Sequence, residues 1–486
     1  MAGGSNGTCR IHYKKIPAHT TLRALSETFS ALPFPSILGG NPAKASEDGF
    51  SYWAAEPRDL FEFTSAQKDP FSKLERALGR YRLGNDPAVD HSATTAAAPL
   101  PAGLFCGGWI GFFGYELGRH IERLPGSAID DIPMPLVRLC FYDRLIAYDH
   151  GSDVFWILAL ERAGDSESPA QKIAALERCL DRSERIRPVE PASANVENVE
   201  FDSIPRNMTQ DDYLDAVKRI KVHIRDGDVY QVNFSQRFEQ PFAGRPIRLF
   251  HWQNQYNPSG YAAYIDAGSF QIVSASPEMF VTVHEGLIRT KPIKGTRPYI
   301  NASDPHTLTL NRQWFHELLT SEKEQAELNM IIDLERNDVA RVCKPGTRRV
   351  IQPRTIETYP TVYHAVATVG GELREEITLN DILKAMFPGG SITGAPKIRA
   401  MEIIEELEPT VRGVYTGSIG FIGLDGTVCL NIAIRTVIIT SGIAFVQTGG
   451  GIVADSDPQA EWDETITKAR ALLAGIRAVQ NGQSAC

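Results

Sequence analysis

The 486-residue chain is expected to fold as an α+β protein, with layered antiparallel sheets flanked by helices and two intimately packed subdomains. Three observations predict this class. Helix-periodic segments recur through the second half; strand patterns come in hairpin pairs closed by Asp425-Gly426 and Ser441-Gly442; and the two do not alternate as strict βαβ units. The length also exceeds that at which one core keeps growing, which sets the subdomain expectation.

The first domain is read as 1–186. Its Ser92 to Pro101 stretch, rich in Ala, Thr and Pro, reads as a surface loop. A linker is read at 187–205, where Pro188 and Pro191 bracket a stretch of low apolar content. A second domain follows at 206–478, then a tail at 479–486. In the second domain, Tyr213, Val217, Ile220 and Ile224 recur at helical spacing between a Thr209/Asp212 start and Gly227. From Val229 to Phe238, Tyr230, Val232, Phe234 and Phe238 share one parity while Gln231, Asn233 and Ser235 share the other, the pattern of a half-buried strand with a polar face. Helices are expected at about 321–337, 379–387, 395–407 and 458–477, and strands at 415–423, 428–440 and 443–450.

Composition narrows the function classes. Hydrophobic residues at 43% and charged residues at 22% are ordinary for a globular protein, and a net charge of -9 argues against nucleic-acid binding and for small metabolites. The seven cysteines, at 9, 106, 140, 179, 343, 429 and 486, form no zinc or disulfide pattern. With neither a basic and apolar leader nor an apolar run of roughly 20 residues, the chain is expected to be cytoplasmic and to make no membrane contact.

Lys294 stands out within Arg289-Thr-Lys291-Pro-Ile-Lys294-Gly-Thr-Arg297. Neighbouring cations and partial desolvation both lower a lysine pKa and free its amine for attack on an electrophilic carbon, though the same run fits a solvated basic edge. Glu461 and Glu464 lie at i and i+3 in a helix that Asp457 and Pro458 open, a spacing that suits a hard cation such as Mg²⁺ and equally suits helix capping. Glu327 follows the capping-box sequence Ser321-Glu-Lys-Glu324, and Asp333-Leu-Glu-Arg-Asn-Asp338 reads as a structural network or a site border. The glycine-rich loop Pro388 to Lys397 precedes a helix but lacks a P-loop's Gly-Lys-Ser/Thr, which favours a carboxylate over a phosphate. Gly449-Gly-Gly451 permits close backbone approach or a bulge, and Arg435, sharing strand parity with Asn431, is either paired structurally or clamps a carboxylate.

Together, Ser276-Pro-Glu278, Pro292-Ile-Lys294-Gly-Thr, Asp333-Leu-Glu-Arg-Asn-Asp338, Pro388-Gly-Gly-Ser-Ile-Thr-Gly-Ala-Pro-Lys397 and Gly449-Gly-Gly-Ile-Val-Ala-Asp-Ser resemble the chorismate-utilising enzymes over about 205–475. Gly107-Gly-Trp-Ile-Gly-Phe-Phe-Gly-Tyr-Glu-Leu-Gly-Arg119 extends the likeness more weakly into the first half. The resemblance implies the anthranilate synthase component I-like fold. Lys294 marks the aminodeoxychorismate branch, since anthranilate synthases carry a small residue there. Gln231 stands where the isochorismate branch has a water-activating lysine, a base that glutamine cannot be.

That likeness implies attack by Lys294 on chorismate, with Glu278 as general acid and His364 beside the ring. It further implies Arg435, Tyr415, Ser391, Gly394, Gly449 and Gly451 around the substrate and Mg²⁺ on Glu327, Glu461 and Glu464. No Gly-x-Cys-x-Gly nucleophile elbow surrounds any cysteine, so ammonia is expected from a separate glutamine amidotransferase subunit in a heterodimer. Departures from the family pattern are Ala326-Glu-Leu-Asn-Met330, which alters the turn after Glu327, and Leu32 to Gly40, which lacks the clear serine of tryptophan-binding relatives. The alternatives are anthranilate synthase component I and a catalytically silent ligand-binding subunit.

Overall fold

The computed structural model describes residues 7–41, 49–92, 99–192, 199–201, 203–301, 304–359 and 361–481. The expected loop at Ser92 to Pro101, the 187–205 linker and the 479–486 tail lie partly outside these described residues.

Two large sheets pack face to face, and helices cover both outer surfaces. One sheet has 13 strands and the other 10 among the described residues. Each takes strands from both sides of the 187–205 stretch: in the larger, Ser36–Leu38 pairs with Tyr261–Asp266, and in the smaller, Gly108–Phe113 pairs with Ser418–Gly423. The first and second halves are therefore consecutive in the chain but continuous in the sheets.

The inner faces meet in two apolar clusters. Phe112 and Ile419 of the smaller sheet pack with Ala263, Ile272 and Ile438 of the larger, and Phe421 and Ile110 join Tyr52, Trp156 and Leu158. The outer face of the larger sheet is covered by Leu22–Ser30, Pro169–Glu184, Pro246–Tyr256 and Pro458–Asn481; that of the smaller by Pro70–Leu78, Glu322–Ala340 and Leu379–Met386. Burying both faces of both sheets explains why so many strands are apolar at successive positions instead of alternating.

The helices form where periodicity and caps mark them. Gln210–Arg225 begins at a reciprocal Thr209/Asp212 capping box, and Ala460 N donates to Asp457 Oδ1 at the start of Pro458–Asn481. At Ser321 only half of the expected box forms. Its hydroxyl accepts from Glu324 N at 3.4 Å, while the Glu324 carboxylate pairs with Arg297 at 2.8 Å.

Two strand expectations need correction. Gln231–Pro241 is buried on both faces, with Gln231, Ser235 and Gln236 at 0% exposure, because the strand lies between the Ile443–Ile452 strand and the short Gly394–Ala395 strand under covering helices. Tyr230 falls outside it and is 72% exposed. The expected 428–440 strand divides instead into Val428–Asn431, in the smaller sheet, and Thr436–Thr440, in the larger. The chain crosses between the two sheets at 432–435. Arg435 is therefore not a strand residue in register with Asn431 but sits in the crossing, with a left-handed φ of 49°.

Candidate active site

The crossing at 432–435, the Pro388 to Ala395 loop and the ends of two strands meet around Glu278, Lys294 and Ser391. Glu278 opens the strand Met279–His284, and Lys294 lies near the start of Ile293–Pro298. Ser391 joins them: its hydroxyl donates to Glu278 Oε1 at 2.6 Å, and its carbonyl accepts from Lys294 Nζ at 3.2 Å. Ile293 N reaches the same Glu278 oxygen at 3.4 Å.

The surroundings move both titrations toward neutrality. Burial raises the Glu278 carboxyl above its usual range, against the Ser391 bond and the charges of Lys294 and Arg435. Lys294 is half-buried by area, but its ammonium is enclosed by protein, and burial lowers its pKa against the pull of Glu278 and Glu327, with Lys468 adding to the lowering. Sequence reasoning attributed the lowering partly to flanking cations. In the structure Lys291 is bound to Glu357 at 2.9 Å and Arg297 to Glu324 at 2.8 Å, so those charges are neutralised and desolvation dominates.

Arg435 faces Glu278 from the sheet crossing, and its guanidinium makes no hydrogen bond or ion pair among the described residues. Burial lowers its pKa while Glu278 opposes the shift. The structural ion pair is thus not formed among the described residues, and the five-donor fork of the partly buried side chain is free to take a ligand's carboxylate. Gln231 is also unsatisfied: neither its Oε1 nor its Nε2 has a partner among the described residues, although the residue is fully buried. It lies against Gly451 and pairs through its backbone with Ala395, next to Gly394.

His364 is paired in register with Thr296, two residues along from Lys294, and the Thr296 hydroxyl and His364 Nδ1 are 2.9 Å apart. Tyr415 is buried, and the Arg412 guanidinium stands 6.0 Å from its ring centre. Arg412 also donates to the Ile392 carbonyl at 3.0 Å, which ties Tyr415 to the loop. Sequence reasoning missed this arginine; its only local signal was a charge in an otherwise apolar 409–419 stretch.

The three carboxylates interact electrostatically: Glu464 acts on Glu327 and on Glu461, and Glu327 and Glu464 both act on Lys294. Burial raises Glu327 and Glu461; Glu464's charge adds to each rise. Burial opposes the charge on Glu464 too, but Lys468, 2.7 Å away, holds its pKa below the usual range. A Cβ on Gly450 would stand 3.0 Å from Glu461 Oε2 and 3.8 Å from Glu464 Oε1. That middle glycine, rather than Gly449 or Gly451, fronts the helix carboxylates. Gly449 instead abuts the Phe234 carbonyl and accepts from Lys468 at 2.8 Å.

Among the described residues no three His, Cys, Asp or Glu side chains converge tightly enough to form a metal site unaided. The donor chemistry nonetheless fits Mg²⁺: hard carboxylate oxygens, of which Glu464 raises the pKa of the other two, with the Lys468 ammonium standing in as counter-cation on Glu464. Helices long and apolar enough to cross a membrane are absent among the described residues.

The family described as chorismate binding enzyme matches residues 43–474. Aminodeoxychorismate synthase component 1 of Bacillus subtilis is 40% identical over 371 residues, 76% of each chain. Anthranilate synthase component 1 of Pseudomonas putida is 37% identical over 417 residues, 84% of this chain and 80% of that one. Anthranilate synthase component I from Streptococcus pneumoniae superposes with a TM-score of 0.69 at 30% identity, over 88% of this chain and 93% of that chain. At 16% identity, a menaquinone-specific isochorismate synthase from Escherichia coli shares the fold, with a TM-score of 0.68 over 97% and 96%.

Proposed function

We propose, since the chain belongs to the chorismate-binding enzyme family and the family acts on chorismate, that this protein aminates chorismate to 4-amino-4-deoxychorismate, the step before 4-aminobenzoate in folate synthesis. The observation that carries the reading is the enclosed Lys294 amine, held by the Ser391 carbonyl and faced by Glu278. Relatives named aminodeoxychorismate synthase component 1, at 40% and 38% identity, support it, although others of similar identity are anthranilate synthases.

In this reading the neutral Lys294 amine bonds to ring C2 as the electron pair shifts through the ring and the C4–O bond breaks. Glu278, whose carboxyl burial raises above its usual range, gives its proton to the departing hydroxyl, which leaves as water. Ammonia then bonds to C4 and the C2–N bond to Lys294 breaks, which returns the lysine; Glu278 recovers a proton from the incoming nitrogen. Arg435 pairs with a substrate carboxylate, Gln231 meets the substrate's polar groups, and His364, oriented by Thr296, borders the ring. Ser391, Gly394, Gly449, Gly451 and Tyr415 complete the substrate walls. Glu327, Glu461 and Glu464 would hold Mg²⁺, which when bound neutralises the ring carboxylate. Ammonia would come from a separate glutamine amidotransferase subunit.

The test is chemical. Chorismate, Mg²⁺ and ammonium are incubated with the protein, and products are separated before and after an aminodeoxychorismate lyase is added. The expected product turns into 4-aminobenzoate only with the lyase. Fluorescent anthranilate formed without it would refute this reading in favour of anthranilate synthase, and untouched chorismate would favour a silent binding subunit.

A further inference from the structure

The mixed-charge run Asp333 to Asp338 lies in the helix Glu322–Ala340, directly behind the Gly390–Ile392 turn. Glu335 is 2% exposed. Its Oε1 accepts the Gly390 N–H at 3.2 Å, and its Oε2 has no partner among the described residues. A Cβ on Gly390 would come within 2.6 Å of Leu334 Cδ2 and 3.1 Å of Glu335 Oε1, so helix and turn are in direct contact. One residue further on, Ser391 turns its two oxygens into the cleft, the carbonyl to Lys294 and the hydroxyl to Glu278.

The base of the same loop is held by the same helix. Lys397 Nζ pairs with Asp338 at 2.5 Å and donates to the Met386 carbonyl at 2.8 Å, which joins the two ends of the 387–396 segment. We propose, on the amination reading above, that Glu335 is a positioning residue: by accepting the Gly390 N–H it fixes the turn that sets Lys294 against Glu278. The charged groups that face it are Asp338 on its own helix, Lys397 on the helix Lys397–Leu407, and Glu278 across the turn. Burial, with Asp338 adding to it, raises the Glu335 carboxyl well above its usual range, which favours its uncharged form behind Lys294. An uncharged acceptor of the same shape should therefore replace it.

The experiment compares wild type with Glu335→Gln, Glu335→Leu and Glu335→Ala. Steady-state chorismate consumption with ammonium and Mg²⁺ is measured alongside amide hydrogen exchange of the 388–393 segment. Glu335→Gln should stay within about threefold of wild type in both kcat and exchange. Glu335→Leu, or Glu335→Ala if the leucine does not fold, should lose at least about thirtyfold in kcat at nearly constant chorismate KM, because ground-state binding survives while the reacting groups are misaligned. The same variant should exchange its Gly390 amide at least about tenfold faster. An apolar variant with wild-type kcat and protection overturns the proposal, as does a Gln variant that falls as far as the apolar ones. Anthranilate from the wild type would refute the product reading yet leave the Gln-against-Leu contrast in kcat intact. If the wild type consumes no chorismate, the functional reading fails and the exchange contrast alone decides the positioning role.

Discussion

Replacing Arg435 with glycine separates fold from function at the sheet crossing. Arg435 holds φ at 49°, a conformation that costs a non-glycine residue about 1–2 kcal/mol, and glycine removes that cost. Glycine's larger unfolded-state freedom takes back about 0.5–1 kcal/mol. Freeing a partly buried guanidinium with no partner among the described residues stabilises by about 1–2 kcal/mol, while losing a half-buried stem of three methylenes costs about 1 kcal/mol. These contributions sum to a change between roughly zero and 2.5 kcal/mol in favour of the variant. Activity should move the other way. A guanidinium–carboxylate pair desolvated in a cleft is worth about 3 kcal/mol when one partner is deleted, or roughly a hundredfold in kcat/KM. Differential scanning fluorimetry and chorismate kinetics on Arg435→Gly should therefore show an unchanged or raised Tm with kcat/KM lowered at least about a hundredfold. A Tm lowered by several degrees would mean that the guanidinium is a structural partner and refute the clamp.

The remaining predictions probe the other groups. Lys294→Ala should lower kcat by at least about a thousandfold, abolish any adduct on the Lys294 peptide in intact-mass analysis with chorismate, and leave chorismate binding by calorimetry within about threefold. For the pH profile of kcat/KM, the amine form of Lys294 and the acid form of Glu278 are required. The limb rising with pH is therefore displaced below the usual lysine range and the limb falling with pH above the usual carboxylate range; Glu278→Gln should lower the rate about a hundredfold or more and flatten the falling limb. Gly450→Ala introduces a Cβ 3.0 Å from Glu461 Oε2, so the Mg²⁺ concentration for half-maximal activity should rise about tenfold with little change in Tm; an unchanged Mg²⁺ dependence would remove Glu461 from the metal set.

Local signals carried the helices well. Thr209 with Asp212, and Asp457 with Pro458, mark helix starts through groups adjacent in sequence, so the cap geometry is readable there. The Glu461/Glu464 pair was readable because i,i+3 spacing is itself local. The alternation along Gln231–Pro241 predicts a half-buried strand with a polar face because it reports two different faces and not what covers them. Gln231, Ser235 and Gln236 are buried by strands and helices from distant parts of the chain. The lysine shift was anticipated with the wrong emphasis for the same reason: the cations beside Lys294 are visible in the sequence, while their carboxylate partners Glu357 and Glu324 are distant.

Arg435 shows most directly why the site itself was less legible than its parts. The 428–440 stretch has the β-rich composition of one strand, and nothing local announces that its first four residues join one sheet and its last five the other. The crossing follows from closing two sheets that share strands from both halves of the chain, a long-range requirement. That crossing takes Arg435 out of strand register and leaves its guanidinium facing Glu278, with no hydrogen bond or ion pair among the described residues. A left-handed arginine is unfavourable locally and an unpaired buried cation is unfavourable electrostatically. Two such costs at one residue, beside a Glu278 raised and a Lys294 lowered by burial, are what the anionic substrate of the proposed reaction would offset.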